Sequence, residues 1–142
     1  YDFNTTTSDI SHRFQIVIYT MLMSYVCRRF DEGGTPYTIN ELRDKTGIPI
    51  RVVNDLMYKL VDARLAIEIT SDEKGEPSRF VPAISVDKIS LGMMIDRIES
   101  LGRWQLEWRR SSLAESQWLK AISVRSKYLK QSRELLLKDF CV

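Results

Sequence analysis

The sequence predicts a mainly α fold with a small β-hairpin, namely a winged helix-turn-helix with a long N-terminal helix and C-terminal helices. Three observations carry the prediction. Thr38-Ile39-Asn40-Glu41 has capping-box spacing, and the short helix it opens stops at Gly47. A second amphipathic helix begins at once, with Pro49 placed for its first turn. Two stretches then alternate with period two around a polar, turn-rich loop.

Size and composition set the frame. With 142 residues the chain has room for one compact domain and a spare helix or two. Its 44% hydrophobic and 28% charged residues belong to a globular protein, not a disordered one. The longest apolar run, Ile16 to Met23, is interrupted only by Thr20 and falls far short of the ~20 residues that span a bilayer. The chain opens Tyr1-Asp2-Phe3-Asn4, without initiator Met or secretory leader, and reads as a piece of something longer. Cys27 and Cys141 form no disulfide framework and have no metal-ligand spacing. They read as small buried hydrophobes in a reducing compartment.

The elements follow in order. Ser8-Asp9 offers caps for a helix running to Phe30, where Phe14, Val17, Ile18, Met21, Leu22, Tyr25 and Val26 recur at three- and four-residue steps. Gly33-Gly34-Thr35-Pro36 breaks it. The second helix of the helix-turn-helix carries Val52, Val53, Leu56, Met57 and Leu60 on one face and reaches about Ala63. Residues 65–70 and 79–84 form the wing strands around the loop 71–78. Ser90 caps a helix that ends by Gly102, and residues 112–139 read as one long amphipathic helix. The chain divides into an N-terminal helix (1–35), the winged helix-turn-helix (36–102) and a basic helical extension (103–142) within one compact domain. Val17, Leu22, Leu42, Val53, Leu56, Leu60, Ile67, Ile69, Val81 and Ile95 are the expected core.

The net charge of +2 hides an asymmetry: residues 103–142 hold nine Lys or Arg against four acids, and the rest holds twelve against fifteen. The outer positions of the second helix of the motif, Arg51, Asn54, Asp55, Tyr58, Lys59 and Asp62, are close to neutral. The loop 71–78 sets Asp72, Glu73 and Glu76 against Lys74. Phosphate neutralisation supplies much of DNA affinity, so this balance argues against nucleic acid as the main partner. Arg51, Asn54, Tyr58 and Lys59 are the candidate nucleic-acid contacts. Arg103, Trp104, Trp108, Arg109, Arg110, Lys120 and Lys127 form a candidate surface for a partner or for anionic lipid, since Trp and Arg together suit a headgroup region. Packing of the tryptophans onto the core is the favoured alternative.

TINELRDKTGIPIRVVNDLMYKLVDARLAIEI, followed by RFVPAISVDKISLGMMIDRIESLG, resembles the cytoplasmic C-terminal region of the YihY/BrkB family of bacterial inner-membrane proteins, formerly annotated ribonuclease BN. Phe80-Val81-Pro82-Ala83 and Ile89-Ser90-Leu91 occupy that family's recurring positions after the wing. The resemblance covers about residues 10–102. It implies a non-catalytic interaction or regulatory domain at the cytoplasmic face of the inner membrane. Its partners would be the protein's own membrane-embedded portion or another protein, with a second copy as a further partner. The alternative, from a different class, is a soluble DNA-binding regulator whose last helix mediates dimerisation. The Rrf2 family of regulators shares the helix-wing-helix order, but the cysteine cluster of an iron–sulfur-sensing member is missing after the second helix.

No enzyme is expected. A metal-dependent nuclease needs clustered His and acidic ligands, and the one histidine, His12, has only Asp9 close by in sequence. A metal-free nuclease needs an acid/base pair that a lone His cannot supply. Neither cofactor nor metal is implied, and a tRNA-processing ribonuclease ranks last.

Overall fold

Ser11, not Ser8 or Asp9, caps the first long helix: its hydroxyl accepts from the Phe14 amide at 3.2 Å, and α1 runs His12–Asp31. The computed structural model describes residues 7–102 and 109–140. A short 3-10 turn, Thr7–Asp9, precedes α1. Ile18, Tyr19, Leu22, Met23, Val26 and Cys27 make the buried stripe of α1. Expected in the core, Val17 is instead 52% exposed, because it sits one helical step off that stripe. Burial without a charged partner pushes the Tyr19 phenol up to about 12.

The helix-turn-helix forms as its local signals dictate. Thr38 Oγ1 accepts from the Glu41 amide at 3.1 Å and Glu41 Oε1 accepts from the Thr38 amide at 2.9 Å, which opens α2, Ile39–Thr46. Gly47 closes it at φ 73°, a left-handed conformation that a Cβ would strain. α3, Ile50–Asp62, starts from Pro49 and buries Val52, Val53, Leu56, Met57 and Leu60. α2 contributes Leu42, which is fully enclosed.

The sheet has three strands, one more than the alternation predicts. β1 (Tyr37–Thr38) is the first, paired antiparallel with β3 (Arg79–Pro82), and β2 (Ala66–Ile69) lies on the other side of β3. Two residues are too short a run to show a period. The phase of the hairpin also differs from expectation. Ala66 pairs with Pro82 and Glu68 with Phe80, and Ala66, Pro82 and Phe80 are the buried positions. Ile67 and Ile69, assigned to the core by hydrophobicity, face outward at 48% and 45% exposure. Val81 is half-buried opposite Ile67. Both faces carry apolar residues, so the alternation alone does not say which one faces α1 and α3.

The last third departs furthest. α4, Leu91–Glu99, is capped by the Ser90 hydroxyl as expected and buries Met94 and Ile98, with Ile95 half-buried. The predicted helix 112–139 is two structures: α5, Ser112–Leu129, and a tail of two 3-10 turns, Gln131–Glu134 and Leu137–Phe140. That tail folds back. The Leu91 amide donates to the Leu135 carbonyl and the Leu137 amide to the Ile89 carbonyl, while Leu137 is completely buried against α1. Gly92 permits the approach: a Cβ there would lie 2.6 Å from Arg133 Cγ and 2.9 Å from the Arg133 amide nitrogen. Arg125 ties α5 to α4, binding Asp96 at 2.9 Å and also Glu99, which in turn meets His12 Nε2 at 2.8 Å.

Candidate nucleic-acid interface

With one side of α3 buried, its other side must present what remains. Arg51, Asn54, Tyr58 and Lys59, the predicted contact residues, are all exposed there, with Asp62 beside them and Asp55 half-buried. They line one surface, and most of them border a recess of about 420 Å³ (Asn54, Asp55, Tyr58, Lys59 and Asp62) that Thr7 and Ser8 close on one side.

Two contacts fix this face. The Tyr58 hydroxyl donates to Glu68 Oε2 at 2.5 Å, and its ring stands edge-on to Phe80 with centroids 5.8 Å apart. The helix is thereby attached to both strands of the wing. The hydrogen bond to the Glu68 carboxylate, helped by burial, raises the Tyr58 pKa above the usual tyrosine value. On the other flank the Thr7 hydroxyl donates to Asp55 Oδ2 at 2.7 Å. The Gln15 side-chain amide holds the turn in place by donating to the Thr7 carbonyl at 3.1 Å and the Ile10 carbonyl at 2.9 Å. Thr7 itself is 5% exposed. Neither Thr7 nor Glu68 is marked in the sequence: Thr7 is 48 positions from Asp55, and no spacing rule joins a turn to a helix at that distance.

The wing loop 70–77 is exposed throughout. Its charge keeps the sign read from the sequence, three acids against Lys74. Positive charge on this side comes from Arg51 and Lys59 alone among the predicted contacts.

The second predicted surface is not one surface. Arg103, Trp104 and Trp108 lie outside the described residues. Arg109 is exposed, but Arg110 turns inward, its guanidinium 4.6 Å above the Trp118 ring and 3.1 Å from Glu115 Oε2. Lys120 and Lys127 are exposed on α5. What α5 mainly displays is apolar: Leu113, Val124 and Tyr128 are 69%, 58% and 81% exposed, and Ala121 and Val124 line a shallow groove with Gln117 and Lys120. Among its residues only Leu129 is buried in the single chain.

No family model matches the sequence, and no curated protein matches it. Solved structures do. The chain is similar to CymR, the global cysteine regulator of B. subtilis, at a TM-score of 0.61 and 16% identity, over 92% of this chain and 94% of that one. It is similar to T. potens IscR at a TM-score of 0.60 and 18% identity, over 92% and 84%. Staphylococcus aureus CymR superposes at 0.56 with 17% identity, over 87% and 92%. The fold is that of winged helix-turn-helix transcription regulators of the Rrf2 type, mainly helical with a small three-stranded antiparallel sheet.

This overturns the resemblance to the YihY/BrkB family. The likeness to regulators takes in nearly the whole of the CymR chain, including elements outside the winged helix, which a membrane-protein tail would not need to share. The motifs behind that resemblance are apolar spacing and turn residues common to any winged helix. The inner-membrane setting and the membrane-embedded partner fall with it, as does the low rank given to nucleic acid. No helix among the described residues is long and apolar enough to cross a membrane. The missing cysteine cluster bears on a cofactor and not on the fold, because metal ligands are grafted onto a scaffold that apolar patterning builds. Among the described residues no group of three or more His, Cys, Asp or Glu is placed to hold a metal. The neighbours are regulators, not enzymes, in keeping with a chain for which no catalytic role is predicted.

Proposed function

We propose that this chain is a DNA-binding transcription regulator that acts as a homodimer, with α3 as the reading helix and α5 as the dimer helix. The observation that carries the reading is the outer face of α3. It is polar, kept clear of the core and braced to the wing through Tyr58 and Glu68, in a fold shared almost end to end with regulators. A helix of this width, ~10–12 Å, fits the major groove, which is ~12 Å wide.

Dimerisation answers two problems together. Leu113, Ala121, Val124 and Tyr128 repeat along one side of α5 at helical steps and are exposed in the single chain, so a second α5 would cover them. One nearly neutral reading face also gains few phosphate contacts, and two faces joined rigidly double them and read two half-sites about one helical turn apart.

The test is binding to random duplex DNA at several salt concentrations, followed by fluorescence anisotropy. Binding should weaken steeply with salt, and Arg51→Ala and Lys59→Ala should each lower the salt slope by about 1. Val124→Glu with Tyr128→Glu should give a monomer by light scattering and weaken DNA binding. Absence of any salt-dependent DNA binding by the wild type overturns the reading.

A further inference from the structure

We propose that Asp55 reads a cytosine in the major groove and that Thr7, from the N-terminal turn, positions it. The proposal rests on the DNA-binding reading above and names what its recognition surface selects.

An acid on a reading helix needs a reason, because it repels the phosphates that a neutral face can barely attract. Asp55 lies at the middle of the outer face, next to Asn54 and one turn before Lys59. It is half-buried, and the Thr7 hydroxyl occupies one of its oxygens at 2.7 Å. The other oxygen, Oδ1, has no such donor in that bond and is left to accept. The Thr7 hydroxyl is itself held by a turn that Gln15 fastens to α1. The carboxylate is therefore aimed before DNA arrives, which a free side chain on an exposed helix is not.

An ionised carboxylate can only accept hydrogen bonds. Along the major groove the donors are the cytosine N4 amino group and the adenine N6 amino group, and every other polar atom there is an acceptor. At adenine the N7 lone pair lies beside the amino group, an edge that an amide matches and a carboxylate opposes. Cytosine offers its amino group without that neighbour. Asp55 thus fits cytosine and penalises guanine and thymine, so it costs affinity everywhere and returns selectivity at one base pair. Asn54, its exposed neighbour, has the amide that suits adenine.

The experiment is selection of bound duplexes from a random pool by the full chain, with competition binding on the enriched site. Wild type should enrich a site with an invariant cytosine, and changing that base pair should cost roughly 5- to 150-fold in affinity, the usual effect of one mismatch. Asp55→Ala should lose preference at that position alone while binding random duplex more tightly. Asp55→Asn should move the preference toward adenine. Thr7→Val removes the donor at nearly constant shape and should lower the cytosine preference severalfold, with Thr7→Ser restoring it. Unfolding curves taken in parallel identify any variant that merely fails to fold. If Asp55→Ala and Thr7→Val fold and enrich the wild-type site with unchanged preference at every position, the pair is only an anchor for the turn and the proposal is wrong. If the wild type shows no salt-dependent binding to any duplex, the DNA-binding reading fails and takes this proposal with it.

Discussion

Replacing Gly92 by alanine tests whether the tail truly folds back onto α4. On an isolated helix the change is favourable, since glycine inside a helix is destabilising by about 0.5–1 kcal/mol relative to alanine. Here the new methyl would sit 2.6 Å from Arg133 Cγ, 2.8 Å from Ser132 Oγ and 2.9 Å from the Arg133 amide nitrogen. The first two atoms belong to side chains that can swing away. The third is backbone, in a turn held by the Leu91-to-Leu135 and Leu137-to-Ile89 hydrogen bonds, and it moves only if the turn moves. Overpacking of this kind costs about 1–3 kcal/mol. Setting the helix gain against it leaves a net destabilisation of about 1 kcal/mol, or about 4 °C in Tm for a chain of this size. Urea unfolding followed by circular dichroism measures it. A Gly92→Ala variant that is more stable than wild type would refute the docked tail, because only the propensity gain would then be operating.

The phase of the hairpin is tested by a pair of truncations: Phe80→Ala, which empties a fully buried site, should cost about 3–5 kcal/mol, whereas Ile67→Ala, on the outer face, should cost under about 1 kcal/mol. Equal costs would mean that the sheet faces the other way. The capping box predicts a pH dependence. The Thr38 amide that Glu41 accepts from, with Arg79 nearby, holds its carboxyl below the usual glutamate value of 4.5. A depressed folded pKa stabilises above the unfolded value and loses that contribution as pH falls through the folded one. Stability should therefore drop below about pH 4.5 less steeply in Glu41→Gln than in wild type, and the effect should be small because the side chain is 48% exposed. Thr38→Ala, which removes the cap outright, should cost about 1 kcal/mol near neutral pH by the same unfolding assay.

The sequence by itself determined what short-range chemistry determines. Thr38 and Glu41 satisfy each other's amides three residues apart, Gly47 takes a conformation other residues avoid, and Ser90 caps α4 by the same logic. The apolar stripe of α3 already implies that Arg51, Asn54, Tyr58 and Lys59 face away from the core, and they do. The class of fold followed from the order of such elements. Similar patterns recur in unrelated winged helices, which is why a resemblance built on them pointed to the wrong family.

Only the tertiary structure decided the rest, because each remaining question depended on a partner far along the chain. Ile67 and Ala66 are both apolar, and which of them turns inward is settled by pairing with Val81 and Pro82. Residues 112–139 have helical periodicity throughout, yet the helix stops at Leu129 because burying Leu137 against α1 and bonding Leu135 to Leu91 outweighs continuing it. Thr7 and Asp55 meet only because Gln15 holds the N-terminal turn beside α3. Backbone and hydroxyl groups of this kind look alike wherever they occur in a sequence. Their role comes from what the fold sets within 3 Å of them.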